Sequence, residues 1–246
     1  MIEQTKAMMS RLKFFGILET LDVRLHEAQS HEWGYSEFLS ALITDESRYR
    51  NEKATVRRIR MAKFRTDAHI DRIDFRAKRS ITKAEISELK QLAFITDPRN
   101  ILLLGPTGVG KSFIATALGN HACREGYKVI FMGMNMFIEE TTIARATGKY
   151  LNLRKRLISA DLLILDDLGI KKLPASAIQD LYDILEERYQ GKSTVITSQL
   201  PLENWKEVID DTVALEAILD RLIHGAIKLD ITGDSYRKKR GQKKKS

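Results

Sequence analysis

Residues Ile101 to Phe113 read "ILLLGPTGVGKSF". Four apolar residues run into the pattern G-x-x-x-x-G-K-[ST], met by Gly105, Gly110, Lys111 and Ser112. The stretch that follows, "KSFIATALGNHACREG", has helical spacing. Strand, glycine-rich turn and helix in that order make a cradle for nucleotide phosphates. The loop Gly105, Pro106, Thr107, Gly108, Val109 and Gly110 is expected to bend so that backbone N–H groups meet phosphate oxygens. The helix start at Lys111, Ser112 and Phe113 adds the positive end of its dipole. Lys111 is expected to bridge the β and γ phosphates of a bound nucleotide. Ser112 is expected to hold Mg²⁺, a hard cation that takes oxygen ligands.

A second motif is "LLILDDLG". Its apolar run ends in two carboxylates. Asp166, at the end of a buried strand, is the expected metal-side acid. Asp167 is the candidate for polarising an attacking water. Two adjacent acids suit hydrolysis by water better than phosphotransfer to a small molecule. A third feature, "STVITSQLP", is an apolar strand that ends in Thr197, Ser198 and Gln199 and stops at Pro201. Beside the loop strand, these residues would lie near the γ phosphate. A fourth is Arg221 in "EAILDRLIHGA". It reads either as a surface residue tied to Asp220 or as an arginine finger that reaches a neighbouring subunit's phosphate.

From Asn100 onward, short apolar runs alternate with amphipathic stretches. This is the pattern of a parallel α/β sheet with crossover helices. Residues 1–63 instead show apolar spacing of three and four throughout, a small helical module with breaks expected at Gly16 and Gly34. Residues 64–98 form a connector in which "IDRIDF" looks strand-like. "ITKAEISELKQLAFI" looks helical, with Thr82 as cap and Glu85 in capping-box position. The expected organisation is therefore a helical module over 1–63, a connector over 64–98, an ATPase domain over 99–236 and a basic tail over 237–246.

The chain of 246 residues carries a net charge of +8 and one cysteine, Cys123, which rules out an internal disulfide. Its charge is concentrated. The last ten residues hold seven Lys/Arg and no acid, Arg48–Arg65 nets +7, and Arg145–Arg156 holds five basic residues and no acid. Without these segments the chain nets −11. Local positive charge on an acidic body points to a polyanion such as nucleic acid. No signal-peptide core or membrane-length apolar run appears, so a reducing, cytoplasmic setting and no membrane partner are expected.

The motifs "GPTGVGKSFIATALG", "ADLLILDDLG", "TVITSQLPLENW", "AILDRLIHGA" and "GDSYRKK" together resemble the AAA+ ATPases of the DnaC/DnaA helicase-loader branch. More closely, they resemble the IstB-like helper ATPases of insertion-sequence transposons. The resemblance covers essentially the whole chain. It implies a five-stranded parallel AAA+ P-loop core without a lid domain. It also implies a trans-acting Arg221 in a homo-oligomer and a phosphate sensor at Ser198 or Gln199. Arg237 would be a substitute for the missing lid arginine. Asp167 stands where many AAA+ proteins have Glu.

The branch also carries an extra helix before the acidic strand, here within Met134–Ser159. Arg145, Lys149, Arg154, Lys155 and Arg156 are then expected phosphate contacts to duplex DNA, joined by Arg57, Arg58 and Arg60 of the first basic run. The implied partner is a transposase. A helicase loader would use the same core with a different partner and a preference for single strands. A small-molecule kinase fits the basic segments and the acid pair poorly. A DNA scaffold without turnover fits poorly with intact Lys111, Asp166 and Asp167.

Overall fold

The computed structural model describes residues 2–75, 80–189 and 191–233. Two compact units result, Met1–Arg57 and Arg58–Ser246, so the division falls inside a helix and before the expected boundary at residue 63. The basic tail, with Arg237, lies outside the described residues. Among the described residues no helix is long and apolar enough to cross a membrane.

The first unit consists of α1 (Ile2–Arg11), α2 (Phe15–Ser30) and most of α3 (Tyr35–Ala62). The break between α1 and α2 falls at Lys13, which adopts a left-handed φ of 61°. It does not fall at Gly16, as the sequence suggested. Gly16 lies inside α2, where a Cβ would come within 2.6 Å of the Tyr49 Cβ and 2.7 Å of the Glu46 Cα. That glycine serves close helix crossing rather than a turn. Glu46 then accepts the N–H groups of Gly16 and Ile17 at 2.8 and 3.2 Å, satisfying donors at the start of α2 that have no partner within their own helix. Ile17, Leu21 and Leu42 form the small core of this unit.

In the second unit the connector "IDRIDF" does not form a strand. Ile70–Arg72 is a single 3₁₀ turn. Next come α4 (Lys83–Lys90) and α5 (Ala93–Thr96). Thr82 and Glu85 form the expected capping box, with Glu85 N–H to Thr82 Oγ1 at 3.2 Å and Thr82 N–H to Glu85 Oε2 at 2.7 Å. Leu92, at φ 56°, separates the two helices.

The α/β domain runs β1 (Ile101–Leu104), α6 (Lys111–Arg124), β2 (Val129–Gly133), α7 (Met134–Ala146), α8 (Tyr150–Ile158), β3 (Leu162–Leu168), α9 (Ala175–Arg188), β4 (Ser193–Ser198), a 3₁₀ segment Leu202–Glu207, α10 (Thr212–Ile223) and β5 (Ile227–Asp230). The five strands pair in parallel in the order β2-β3-β4-β1-β5. All four residues of β1 and the apolar run Leu162–Leu165 of β3 are buried, as continuous apolar strands covered on both faces require. One apolar cluster, including Leu163, Leu165 and Trp205, lies on one face. A second, including Ile101, Leu103 and Phe131, lies on the other. This strand order brings the ends of β1, β4 and β3 side by side.

Candidate nucleotide site

The phosphate loop leaves the end of β1. Gly105 has φ +140°, and a Cβ there would collide with the Ile231 carbonyl, so the turn needs glycine. Gly110, at φ +101°, opens α6. Val109 is fully buried and anchors the loop. The Lys111 ammonium donates to the Gly105 and Pro106 carbonyls at 2.7 and 2.9 Å, which keeps it over the loop mouth. Thr107 Oγ1 donates to Gln199 Oε1 at 2.5 Å, joining the loop to the end of β4.

The acid pair sits on a bulge. Leu165 pairs with Ile196 and Leu168 with Ser198, so Asp166 and Asp167 together face only Thr197. The Thr197 hydroxyl donates to Asp166 Oδ1 at 2.7 Å and accepts the Asp167 N–H at 2.9 Å. Asp166 is buried, and Asp167 takes a left-handed φ of 64° that turns it into the nucleotide cavity. Burial pushes the Asp166 carboxyl up. The neighbouring Asp167 charge pushes it the same way, and hydrogen bonds from Thr197 and Ser112 oppose both. The Ser112 hydroxyl and the Asp166 carboxylate thus meet beside the loop. Such a set of oxygen donors suits Mg²⁺.

A cavity of about 510 Å³ opens between these elements, a volume in the range of small-molecule and cofactor sites. Thr107, Gly108, Gly110, Lys111, Ser112, Phe113, Asp167, Ile170 and Gln199 line one side. The other wall is Thr66, Asp67, Arg72, Ile73 and Asp74 of the connector. No motif marks these residues in the sequence. The wall exists because the connector folds back over α6, where Asn120 Nδ2 donates to the Ala68 carbonyl at 3.2 Å. Of the two sensor candidates, Gln199 faces the cavity. Ser198 is fully buried, and its hydroxyl accepts the Leu200 N–H at 3.1 Å.

Arg221 lies at the other end of β1. Its backbone carbonyl accepts from Asn100 Nδ2 at 3.0 Å, and Asn100 immediately precedes the strand. The phosphate loop follows that strand, about 16 Å away at roughly 3.3 Å per residue. Arg221 Nε donates to Glu186 at 2.6 Å and Nη1 to Asp220 at 2.9 Å, over the Tyr189 ring. It lines a separate cavity of about 170 Å³ with Arg99, Arg188 and His224.

The expected DNA contacts divide into two groups. Arg145 is bound to the buried carboxylate of Asp180 and stacks on Tyr150 at 4.0 Å. Arg154 pairs with Glu187 at 3.3 Å and Arg156 with Glu140 at 2.9 Å. Arg58 donates to the Cys123 carbonyl in the last turn of α6 at 2.7 Å. These four have intramolecular work. Lys149, Lys155, Arg57 and Arg60 are exposed and stand outside those pairs. Arg188 was not singled out by the sequence. It is buried and donates to the carbonyls of Leu157, Ile158, Ala160 and Ser193, fixing the end of α8 to α9 and β4.

Comparison with known proteins gives the family and the fold. The family model described as "IstB-like ATP binding protein" (IstB_IS21) matches residues 7–245. The chain is 36% identical to "Putative insertion sequence ATP-binding protein y4pL" of Sinorhizobium fredii, over 94% of this chain and 94% of that one. It is 31% identical to "Insertion sequence IS21 putative ATP-binding protein" of Pseudomonas aeruginosa, over 98% and 91%. Among solved structures, the DnaC helicase loader superposes with a TM-score of 0.56 at 19% identity, covering 67% of this chain and 97% of that one. AMPPCP-bound DnaA from Aquifex aeolicus superposes with a TM-score of 0.59 at 20% identity, covering 74% of this chain and 55% of that one. These two likenesses carry the fold.

Proposed function

The chain belongs to the IstB-like ATP-binding proteins, and on that footing we propose that it is an ATPase that assembles on duplex DNA, deforms it and delivers it to a transposase. The observation that carries this reading is the separation of Arg221 from Lys111 across the length of β1. A finger at that distance serves the site of an adjoining copy, so turnover and assembly become one event. Within each copy, loop N–H groups and Lys111 bind phosphate. Ser112 and Asp166 would hold Mg²⁺, which supplies charge neutralisation on the phosphates. Asp167 orients and deprotonates the attacking water, and Gln199 meets the terminal phosphate. Exposed Lys149 and Lys155, with Arg57 and Arg60, contact the DNA backbone without reading sequence. Many such contacts offset a bending cost of about 1–6 kcal/mol.

A second reading follows from the DnaC-like fold, namely a loader of a replicative helicase acting on single strands. Turnover and sedimentation of the purified chain, alone, with duplex and with single strands, separate the two. ATP-dependent assembly on duplex is expected. Preference for single strands favours the loader. A monomer indifferent to DNA refutes both.

A further inference from the structure

Arg65 belongs to no motif and lies in the connector, three residues after α3 ends at Ala62. Its neighbours pin it. The Phe64 ring meets Phe131 edge-on at 6.0 Å and covers Gly119, where a Cβ would come within 2.8 Å of that ring. On the other side, the Ala68 carbonyl is held by Asn120. Between these anchors the Arg65 side chain crosses to the end of β2. An ideal Cβ on Gly133 would lie 2.8 Å from the Arg65 Cζ and closer still to Nη2. The guanidinium thus fills the space a side chain at 133 would take. Gly133 itself has φ −72° and ψ 147°, a conformation open to any residue, so backbone freedom does not explain this glycine; the seat for Arg65 does.

Gly133 closes β2, and its register partner on β3 is Asp166. A fixed positive charge therefore flanks the acid pair on the β2 side, as Lys111 does on the loop side. The next two residues, Thr66 and Asp67, line the nucleotide cavity, so the same short segment touches both parts of the site.

We propose that Arg65 is a positioning residue of the ATP site, an arginine seated on Gly133 of its own chain that orients the Asp166 carboxylate toward Ser112. This rests on the ATPase reading and adds a residue to it. Three substitutions test it. Arg65→Met removes the charge and keeps the bulk. Arg65→Lys keeps the charge. Gly133→Ala leaves Arg65 in the chain but puts a methyl group in its seat. The displaced group is the far end of a flexible side chain, so the fold bears little cost.

The readouts are kcat and KM for ATP, with and without duplex DNA, and the gain in affinity for a fluorescent ATP analogue when Mg²⁺ is added. Arg65→Met and Gly133→Ala are each expected to lose about five- to tenfold in kcat, the scale of one charge–charge interaction screened as in water. Each should also lose part of the Mg²⁺ gain, while metal-free affinity for a fluorescent ADP analogue stays within about twofold, the mark of a residue that acts through Asp166 rather than on the nucleotide. Arg65→Lys recovers most of kcat. The double variant Arg65→Met/Gly133→Ala is no worse than the weaker single, because both act through one contact. Wild-type kcat and Mg²⁺ gain in Arg65→Met and Gly133→Ala overturn the inference and leave the ATPase reading standing, as does an equal loss of metal-free ADP affinity. A wild-type chain without Mg²⁺-dependent turnover overturns both.

Discussion

Thr197 faces Asp166 across a bulge in which one residue of β4 opposes two of β3. Its single hydroxyl donates to the Asp166 carboxylate and accepts the Asp167 N–H. One side chain therefore sets both the Asp166 carboxylate and the backbone that carries Asp167. Thr197→Val keeps the shape and removes both hydrogen bonds. It leaves a buried carboxylate and an N–H without their partner, which costs about 1–3 kcal/mol. Thermal unfolding should drop by several degrees, and kcat should fall at least about tenfold with KM little changed. Thr197→Ser, which keeps the hydroxyl, should restore most of both.

The placement of Arg221 leads to a mixing experiment. Arg221→Ala should bind nucleotide normally and not turn it over. Lys111→Ala should bind nucleotide poorly and still carry an intact finger. Neither variant alone has a complete site. If Arg221 acts in trans as proposed, a mixture of the two regains measurable turnover, with Lys111 and Asp167 of one copy meeting Arg221 of another. No regain in a mixture shown to co-assemble would place the finger's action within one chain.

Much of this site was legible in the sequence because its chemistry needs contiguous residues. The phosphate loop must be a strand, a glycine turn and a helix start, so Gly105 to Phe113 announce it. The acid pair must end a buried strand, so "LLILDD" announces that. Arg65, the connector wall and the double duty of Thr197 depend on chain segments meeting across the fold, and no local pattern encodes such meetings. "IDRIDF" alternates like a strand, yet its Ile70–Arg72 part folds as a 3₁₀ turn packed beside α6. Gly16 reads as a breaker because glycine usually is one. Only the crossing of α2 and α3 reveals its use. The basic run 145–156 was legible as charge but not as pairing, since Asp180, Glu187 and Glu140 are distant in sequence.

The first unit should carry its own acid sensitivity. Hydrogen bonds from Arg24 hold the buried Asp45 carboxyl at about 2, below its ordinary 3.8. A carboxyl lowered on folding stabilises the folded form above its unfolded value. That stability is lost as pH falls from about 4 through about 2, since the unfolded chain takes the proton first. Calorimetry should show the transition of this unit moving to lower temperature across that window. In Asp45→Asn the unit is less stable at neutral pH, and its difference from wild type shrinks toward pH 2. A difference that stays constant would refute the assignment.

The division among the basic residues of α7 and α8 predicts two kinds of loss. Lys149 and Lys155 are exposed, so Lys149→Ala and Lys155→Ala should fold normally and weaken duplex binding alike across sequences. Each should reduce the slope of log affinity against log salt by about 1, as the removal of one phosphate contact does. Arg145 differs because its partner Asp180 is buried. Arg145→Met leaves that carboxylate unpaired in the core. With Arg145 itself partly exposed, the cost should be about 1–3 kcal/mol, less than for a fully buried pair. Restoring charge balance with Arg145→Met/Asp180→Asn should recover stability without changing the salt slope. If Arg145→Met instead lowers the slope like a lysine variant and leaves thermal stability intact, Arg145 contacts DNA and its pairing with Asp180 gives way on binding.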